Sequence, residues 1–270
     1  MSDSAKTVIW IGSYPKSGNT WVRFLTCNLA YGLQDSAAAL NRLAPDIHEL
    51  AAIPSAPTAH TFIKTHFPFS SDLPLAANTA AAIYVVRDPA DVMLSNFYYS
   101  QRSGTDQHSG TQTESSADAL GQYVDQYLAA RGDPRWIHSQ MGTWDEHVRT
   151  WLDGSHSFPV LALRYEDLLA DGLGGAQKLC TFLGLSRTPQ EIEQAVAGAS
   201  FRRMREIEEA DIRTQSVGIF YKPYLESAIG SGRRFMRSGA AGEAARVLTP
   251  EQRRRVGAVF GSLMRELGYS

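Results

Sequence analysis

Two short segments carry residue types suited to handling and transferring an anionic group. The first, residues 12–21, reads GSYPKSGNTW and contains Lys16. The second, residues 64–68, reads KTHFP, and its Lys64 and His66 lie on the same side of an extended chain. An imidazole titrates near neutral pH and can accept a proton, whereas a fixed lysine stabilises developing negative charge. The second segment alone is also compatible with a core histidine bonded to a carbonyl.

The first segment is a candidate phosphate loop. Residues 7–11 predict a buried strand, and apolar residues at helical spacing over 21–29 predict a helix that Gly32 ends. A loop between such elements points backbone N–H groups and the positive end of a helix dipole at an anion. In the nucleotide-hydrolase P-loop the lysine follows the second glycine, but here Asn19 holds that place and the lysine is Lys16. A strand-to-helix turn without a ligand is the alternative.

Strands and helices alternate along the rest of the chain. Further strands are predicted at Thr61–Lys64, Ala82–Val86 and Pro159–Leu163, and helices from Pro89 through Tyr99 and at Ala176–Leu183, Pro189–Ala197 and Pro250–Leu267. Asp88 and Pro89 have the types favoured at a helix N-cap and at the first helical position. This alternation predicts an α/β fold with a mainly parallel sheet. Because no internal repeat or Gly/Pro-rich linker divides the sequence, we expect one domain over residues 1–270.

Composition restricts the possible partners. The formal net charge of −2 offers no overall field for nucleic acid or an anionic membrane, so the cations of an anion site must be clustered. Cys27 and Cys180 lie in apolar stretches and are interpreted as core residues, with a disulfide as the alternative. No apolar run approaches the roughly 18 residues that a membrane span needs. Residues 1–6 lack the apolar core of a signal peptide, so we expect a cytoplasmic protein.

Six segments, in order, resemble motifs of the cytosolic sulfotransferase family. They are YPKSGNTW at 14–21, KTHFP at 64–68, Arg87 with Ser95, YED at 165–167, Ser200 and Phe201 with Met204, and FMRSGAAG at 235–242. The resemblance implies a P-loop-like three-layer α/β fold with a central, mainly parallel sheet flanked by helices. It also implies metal-independent transfer of a sulfuryl group from 3'-phosphoadenosine-5'-phosphosulfate (PAPS) to an alcohol or phenol hydroxyl, with PAP as the product.

The same resemblance implies residue roles. His66 would be the general base, and Lys16 and Lys64 would stabilise charge on the leaving group and the sulfonate. The residues implied to bind PAPS are Lys16, Ser17, Gly18, Asn19, Thr20, Trp21, Arg87, Ser95, Tyr165, Phe201, Met204, Arg237 and Gly239. Trp21 and Phe201 would sandwich the adenine, a suitable use of flat aromatic faces, with ordinary core packing as the alternative. Arg87 could instead form an ion pair with Asp88 or Asp91.

Several positions depart from the family pattern. The family has threonine where this sequence has Asn19 and Ala199, and lysine where it has Ser238. Arg233 or Arg234 is a candidate replacement for that lysine. The last third is more similar to bacterial members, including those that sulfate peptide natural products. The acceptor is therefore expected to be a small molecule or a peptide natural product, and the oligomeric state is left open because the family's dimer motif is not evident.

Two other functions are compatible with parts of the sequence. A P-loop phosphotransferase or nucleotide hydrolase would share the strand, loop and helix but would need Mg²⁺. A non-catalytic adenine-nucleotide sensor would keep the fold without turnover. The candidate acceptor-binding segments are residues 101–118 and 212–229, the second of which carries Phe220, Tyr221 and Tyr224.

Overall fold

Four parallel strands form the central sheet, in the order β2-β1-β3-β4. The computed structural model describes residues 6–50, 60–103 and 116–269. The strands are β1 (Val8–Ser13), β2 (Thr61–Thr65), β3 (Thr79–Val86) and β4 (Val160–Arg164). The predicted α/β fold with a mainly parallel sheet is therefore confirmed, and each predicted strand lies within the observed one or overlaps it.

Helices occupy most of the remaining described chain. They are α1 (Asn19–Tyr31), α2 (Ala37–Leu43), α3 (Pro89–Ser103), α4 (Ser116–Ala130), α5 (Pro134–His138), α6 (Trp144–Leu152), α7 (Tyr165–Ala170), α8 (Gly172–Leu183), α9 (Pro189–Gly198), α10 (Phe201–Arg213), α11 (Glu226–Gly230), α12 (Ala244–Val247) and α13 (Pro250–Glu266). Short 3₁₀ turns lie at Ile47–Glu49, Ala76–Asn78 and Pro223–Leu225. The predicted boundaries at Pro89 and Gly32 are confirmed, because Pro89 begins α3 and Gly32 caps α1.

Both faces of the sheet are covered by helices. Trp10 of β1 packs in one apolar cluster with residues of α3, α4, α6 and α13. Ile9 and Ile11 point to the opposite face and pack with residues of α1, α2, α8, α9 and α10. A buried parallel sheet carries such apolar residues on both faces, which produces three layers. Cys27 and Cys180 are free and buried in the second cluster.

The carboxyl ends of all four strands meet at one edge of the sheet, because the strands are parallel. Tyr14, His66, Arg87 and Tyr165 each directly follow a strand at this edge. Ligands of open α/β sheets bind outside this edge. The fold therefore brings together four of the segments singled out in the sequence. Residues 104–115, most of the first candidate acceptor segment, and residues 1–5 lie outside the described residues.

Candidate active site

A cavity of about 330 Å³ opens at the carboxyl edge of the sheet. With the exception of Ser17, every residue assigned above to catalysis or PAPS binding lines it. These lining residues are Lys16, Gly18, Asn19, Thr20, Trp21, Lys64, His66, Arg87, Ser95, Tyr165, Phe201, Met204, Arg237 and Gly239. Residues that are more than two hundred positions apart in the sequence thus share one cavity, which motif spacing alone could not establish.

The loop before α1 is shaped by one glycine and one amide side chain. Gly18 has a φ of 103°, and a Cβ there would come within 2.6 Å of the Tyr165 ring, so only glycine fits without movement. The Asn19 side chain donates to the Ile11 carbonyl at 3.0 Å and to the Ser13 hydroxyl at 3.2 Å. Asn19 therefore attaches the loop to the end of β1, which gives a structural use to this departure from the family pattern.

Lys16 is a half-buried cation held against aromatic rings. Its Nζ lies 4.2 Å from the centre of the Tyr99 ring and 4.4 Å from that of Phe235. Burial, together with the nearby guanidinium groups of Arg102 and Arg87, lowers the pKa of Lys16 to about 7. An anion would restore the pKa of this ammonium group towards its ordinary value, so the group is suited to binding one.

Arg87 combines a structural contact with an open donor. Its guanidinium donates to the Ala240 carbonyl at 2.8 Å, pairs with Asp91 at 3.3 Å and lies 4.4 Å above the Tyr165 ring. The alternative ion pair with Asp91 is thus present, yet Arg87 also lines the cavity. Its buried Nε has no partner among the residues that the structure describes. An unpaired buried donor in a cavity wall fits an anionic ligand.

The C-terminal loop closes the same end of the cavity. Gly239 has a φ of 64° and packs directly on the Phe201 ring, while the Tyr165 hydroxyl donates to the Gly239 carbonyl at 2.7 Å. Trp21 meets Tyr165 edge-on, with ring centres 5.3 Å apart. Flat aromatic faces therefore line this part of the cavity, as a purine site requires.

Arg237 is positioned by a carboxylate that sequence reasoning did not assign. Its guanidinium binds both carboxylate oxygens of Glu243, one of them at 2.6 Å. The Ser238 hydroxyl donates to the same carboxylate at 3.0 Å. Arg233 and Arg234 donate to backbone carbonyls and are not among the residues that line the cavity. The candidate replacement for the family's lysine by one of these two arginines therefore stays a prediction.

His66 lines the cavity, and one of its ring nitrogens is bonded to the main chain. Its Nδ1 lies 2.7 Å from the Ser13 carbonyl, which can only accept, so Nδ1 carries the proton and Nε2 has the lone pair. Burial, followed by the neighbouring Lys64 ammonium, holds the pKa of His66 well below its usual value. Lys64 pairs with Asp46 at 2.7 Å, although burial still lowers the pKa of Lys64 to about 8. The imidazole is thus neutral at pH 7 and able to accept a proton.

The structure adds lining residues outside the family-like motifs and the two candidate acceptor segments. They are Arg23, Asp46, His48, Glu49, Tyr99, Trp136, Met141 and Leu169. The charged run at residues 46–49 was the available signal, because such residues between an apolar helix and a strand suggest a site. Of the aromatic residues in segment 212–229, Tyr224 lines the cavity, whereas Phe220 and Tyr221 are buried in apolar clusters.

A family model described as a sulfotransferase domain matches residues 6–268. The chain belongs to the sulfotransferase family. Sulfotransferase 2A1 of Rattus norvegicus is 30% identical over 184 residues, which cover 67% of this chain and 56% of that relative. Sulfotransferase 1A1 of Canis lupus familiaris is 27% identical over 275 residues, covering 96% of this chain and 84% of its own. The match thus spans little more than half of the rat relative.

Solved structures share the fold of this chain. Retinol dehydratase, in complex with androsterone and the inactive cofactor PAP, superposes with a TM-score of 0.67 at 20% identity, covering 96% of this chain and 81% of that one. A mouse sulfotransferase complexed with PAP superposes with a TM-score of 0.63 at 21% identity, covering 97% and 86%. Within the described residues, no helix combines the length and apolar character that a membrane crossing requires.

Proposed function

We propose that this sulfotransferase transfers a sulfuryl group from PAPS to a hydroxyl group of its acceptor. The observation that carries the proposal is the convergence of Lys16, His66, Arg87 and Arg237 on one cavity at the carboxyl edge of the sheet. Two structural neighbours are complexes with PAP, which agrees with an adenosine bisphosphate ligand.

The proposed donor site lies between the loop before α1 and the C-terminal loop. Arg87, with its unpaired Nε, and Arg237 would bind the 3'-phosphate together with Ser95. The aromatic faces of Trp21 and Phe201 would hold the adenine. The N-terminus of α1 would bind the 5'-phosphosulfate, because its free N–H groups and helix dipole favour an anion.

The proposed transfer is an in-line displacement at sulfur. The acceptor oxygen forms a bond to sulfur while the bond from sulfur to the bridging oxygen of the 5'-phosphate breaks. The hydroxyl proton passes to Nε2 of His66, and the negative charge that grows on the departing phosphate is stabilised by Lys16. A fixed cation at that oxygen contributes more in the transition state than in the ground state. Lys64, paired with Asp46, would stabilise the sulfonate.

The acceptor side is proposed to take an uncharged hydroxyl group of a small molecule or a peptide natural product. Both lysines near His66 are paired with carboxylates, since Lys64 binds Asp46 at 2.7 Å and Lys222 binds Glu49 at 2.7 Å. Arg23, a further cation of this wall, donates to the Asn41 side chain and to the Ala44 carbonyl. Retinol dehydratase has been solved with androsterone and with retinol, which are small-molecule ligands of that protein. Because the two lysines are already paired, an acceptor does not need a charge to neutralise them.

Calorimetric titration with PAP, and separately with ATP and Mg²⁺, tests the donor site. We expect tight metal-independent binding of PAP and weak binding of ATP, because ATP lacks a 3'-phosphate. Binding of Mg²⁺-ATP without PAP binding would contradict the proposal and favour a phosphotransferase. Transfer of labelled sulfate from PAPS to a panel of phenols and alcohols then tests turnover, and PAP binding without any transfer would favour a nucleotide sensor.

A further inference from the structure

The peptide groups of His66 lie just beyond the sheet. β2 ends at Thr65, whose pairing with Gly12 is the last register position between β2 and β1. The backbone N–H and C=O of His66 therefore have no partner in the ladder, although the residue is half-buried in the cavity wall. Buried backbone groups need hydrogen bonds, so other parts of the chain must supply them.

Two other histidines supply those bonds. The backbone N–H of His66 donates to Nε2 of His48 at 2.8 Å. The backbone C=O of His66 accepts from Nε2 of His147 at 3.0 Å. His48 belongs to the 3₁₀ turn before β2, and His147 belongs to α6, so they reach His66 from two separate elements. One ring thus acts as acceptor and the other as donor, on the two sides of the same residue.

The second ring nitrogen of His147 is also accounted for. Its Nδ1 lies 2.8 Å from the Tyr84 hydroxyl, which donates to it, and its ring packs edge-on against Tyr14 at 5.7 Å between ring centres. His147 is fully buried and does not line the cavity. His147 therefore does not contact a ligand directly, and it is connected to the site through its hydrogen bond to His66.

His48 must be neutral to accept the His66 N–H at Nε2, and His147 must be neutral to accept from the Tyr84 hydroxyl at Nδ1. His48 faces Lys64, Asp46, Glu49 and His66; burial and then Lys64 lower its pKa to about 4. His147 is surrounded by the Tyr14 and Tyr84 rings and by the backbone of His66, and burial lowers its pKa to about 3, with a smaller contribution from His48. Protonation of His48 at Nε2 would set one donor against another, which would break its bond to His66.

We propose that His48 and His147 are positioning residues that hold the main chain of His66 on both sides, so that its Nε2 stays directed at the acceptor hydroxyl. The bond from the His66 ring to the Ser13 carbonyl then selects the tautomer. The two backbone bonds, to His48 and to His147, fix the position of the ring. This assignment rests on the proposed function for its catalytic consequence, but the geometry of His66 is measurable without turnover.

Nitrogen NMR of histidine-labelled full-length protein tests the positioning directly. In the wild type we expect His66 to show a single ring state, protonated at Nδ1 and bare at Nε2, throughout the neutral range. The His48→Phe variant removes the acceptor but keeps an aromatic ring against Phe67, which contacts the His48 ring at 4.1 Å. We expect its His66 signals to show mixed tautomers. Unchanged His66 signals would overturn the assignment.

Turnover gives the second readout, with p-nitrophenol as the probe acceptor. His48→Phe should lower kcat about 100-fold with a smaller change in KM, because a misplaced catalytic group costs of this order. His48→Gln should recover most of the loss, since its Oε1 can accept from the His66 N–H. If Phe is not accommodated, His48→Leu replaces it. Equal kcat values for the Phe and Gln variants would argue against the hydrogen bond.

A matched control and a double variant separate positioning from other roles. His156 is also bonded through Nε2 to a carbonyl and stacked on an aromatic ring, but it does not contact His66. His156→Phe should leave kcat and the His66 signals unchanged.

In a His66→Ala background, His48→Phe should have no further effect. Additive losses there would show that His48 acts directly. An inactive wild type with the expected NMR behaviour would instead contradict the proposed function alone.

Discussion

The two ends of the cavity differ in how far their charges are neutralised. The anion end carries four cationic side chains, Lys16, Arg87, Arg102 and Arg237, of which Arg87 and Arg237 pair with Asp91 and Glu243. The lowered pKa of Lys16 follows from burial and from the presence of the other three. The histidine end is formed by Asp46, His48, Glu49, Lys64, His66 and Lys222. Its lysines are each paired with a carboxylate at 2.7 Å, and burial keeps its histidines neutral.

The difference indicates which end needs a ligand to complete it. Excess positive charge in a buried cavity is unfavourable until an anion enters, so binding energy is concentrated at the anion end. The lysines of the histidine end are already paired with carboxylates, and His66 offers a lone pair there. Affinity for PAP and the rate of transfer should therefore depend on separate sets of residues. The following experiments test whether the two sets are separate.

The largest expected effect is on turnover at the histidine end. His66→Ala should lower kcat by about 10²–10⁴-fold, the usual contribution of a general base. The PAP dissociation constant should stay close to that of the wild type, because His66 is not among the cations of the anion end. Steady-state kinetics and calorimetry on the same preparation measure both. Wild-type turnover in a folded His66→Ala protein would show that another group is the base.

The next effect is on affinity at the anion end. Arg237→Met should weaken PAP binding by about 10–100-fold, because a hydrogen bond to a charged group contributes roughly 1.5–3 kcal/mol. Arg234→Met is the matched control, since Arg234 lies in the same segment but donates to the Ile229 carbonyl. Titration with PAP and with ADP compares the variants. Equal losses for the two variants would remove Arg237 from the 3'-phosphate site.

A smaller effect is the coupling of PAP binding to protonation. In the ligand-free protein the pKa of Lys16 is about 7, and a bound anion raises it. PAP binding above pH 7 should therefore be accompanied by uptake of a proton. Affinity should then fall as pH rises above 7, by at most about tenfold per pH unit. Calorimetry at pH 8 in buffers of different ionisation enthalpy measures the uptake. Uptake that persists in Lys16→Met would point to Lys64, whose pKa is about 8.

The last expected effect is on stability in mild acid rather than on binding or turnover. His48, His66 and His147 have lowered pKa values in the folded chain, so below the ordinary histidine pKa of about 6.5 the unfolded chain binds more protons. Stability from these groups is full above that pH and is lost as pH falls, by at most about 1.4 kcal/mol per pH unit for each proton. Urea denaturation at pH 7 and pH 5 measures the change. A midpoint independent of pH would contradict buried neutral histidines.

The sequence predicted the anion end better than the histidine end. Lys16, Gly18 and Arg87 could be placed from strand ends, helix starts and glycine positions, because local geometry determines them. His48 belongs to no recognised motif. His147 lies in an amphipathic helix, whose pattern does not mark it as a site residue. His48 is 18 positions and His147 is 81 positions from His66 in the sequence. The spacing of apolar residues does not predict contacts over such distances.

Local sequence patterns were enough to predict the alternation of strands and helices and the loop between the first strand and the first helix. Both follow from backbone preferences and from the spacing of apolar residues, which act over a few positions. The candidate base and cations came from the resemblance to the sulfotransferase family. Packing in three dimensions was needed to show that Glu243 holds Arg237, that Asn19 attaches its loop to β1, and that two histidines from separate elements hold a third. Those arrangements depend on how whole helices pack on the sheet, and that packing is a sum of many distant contacts.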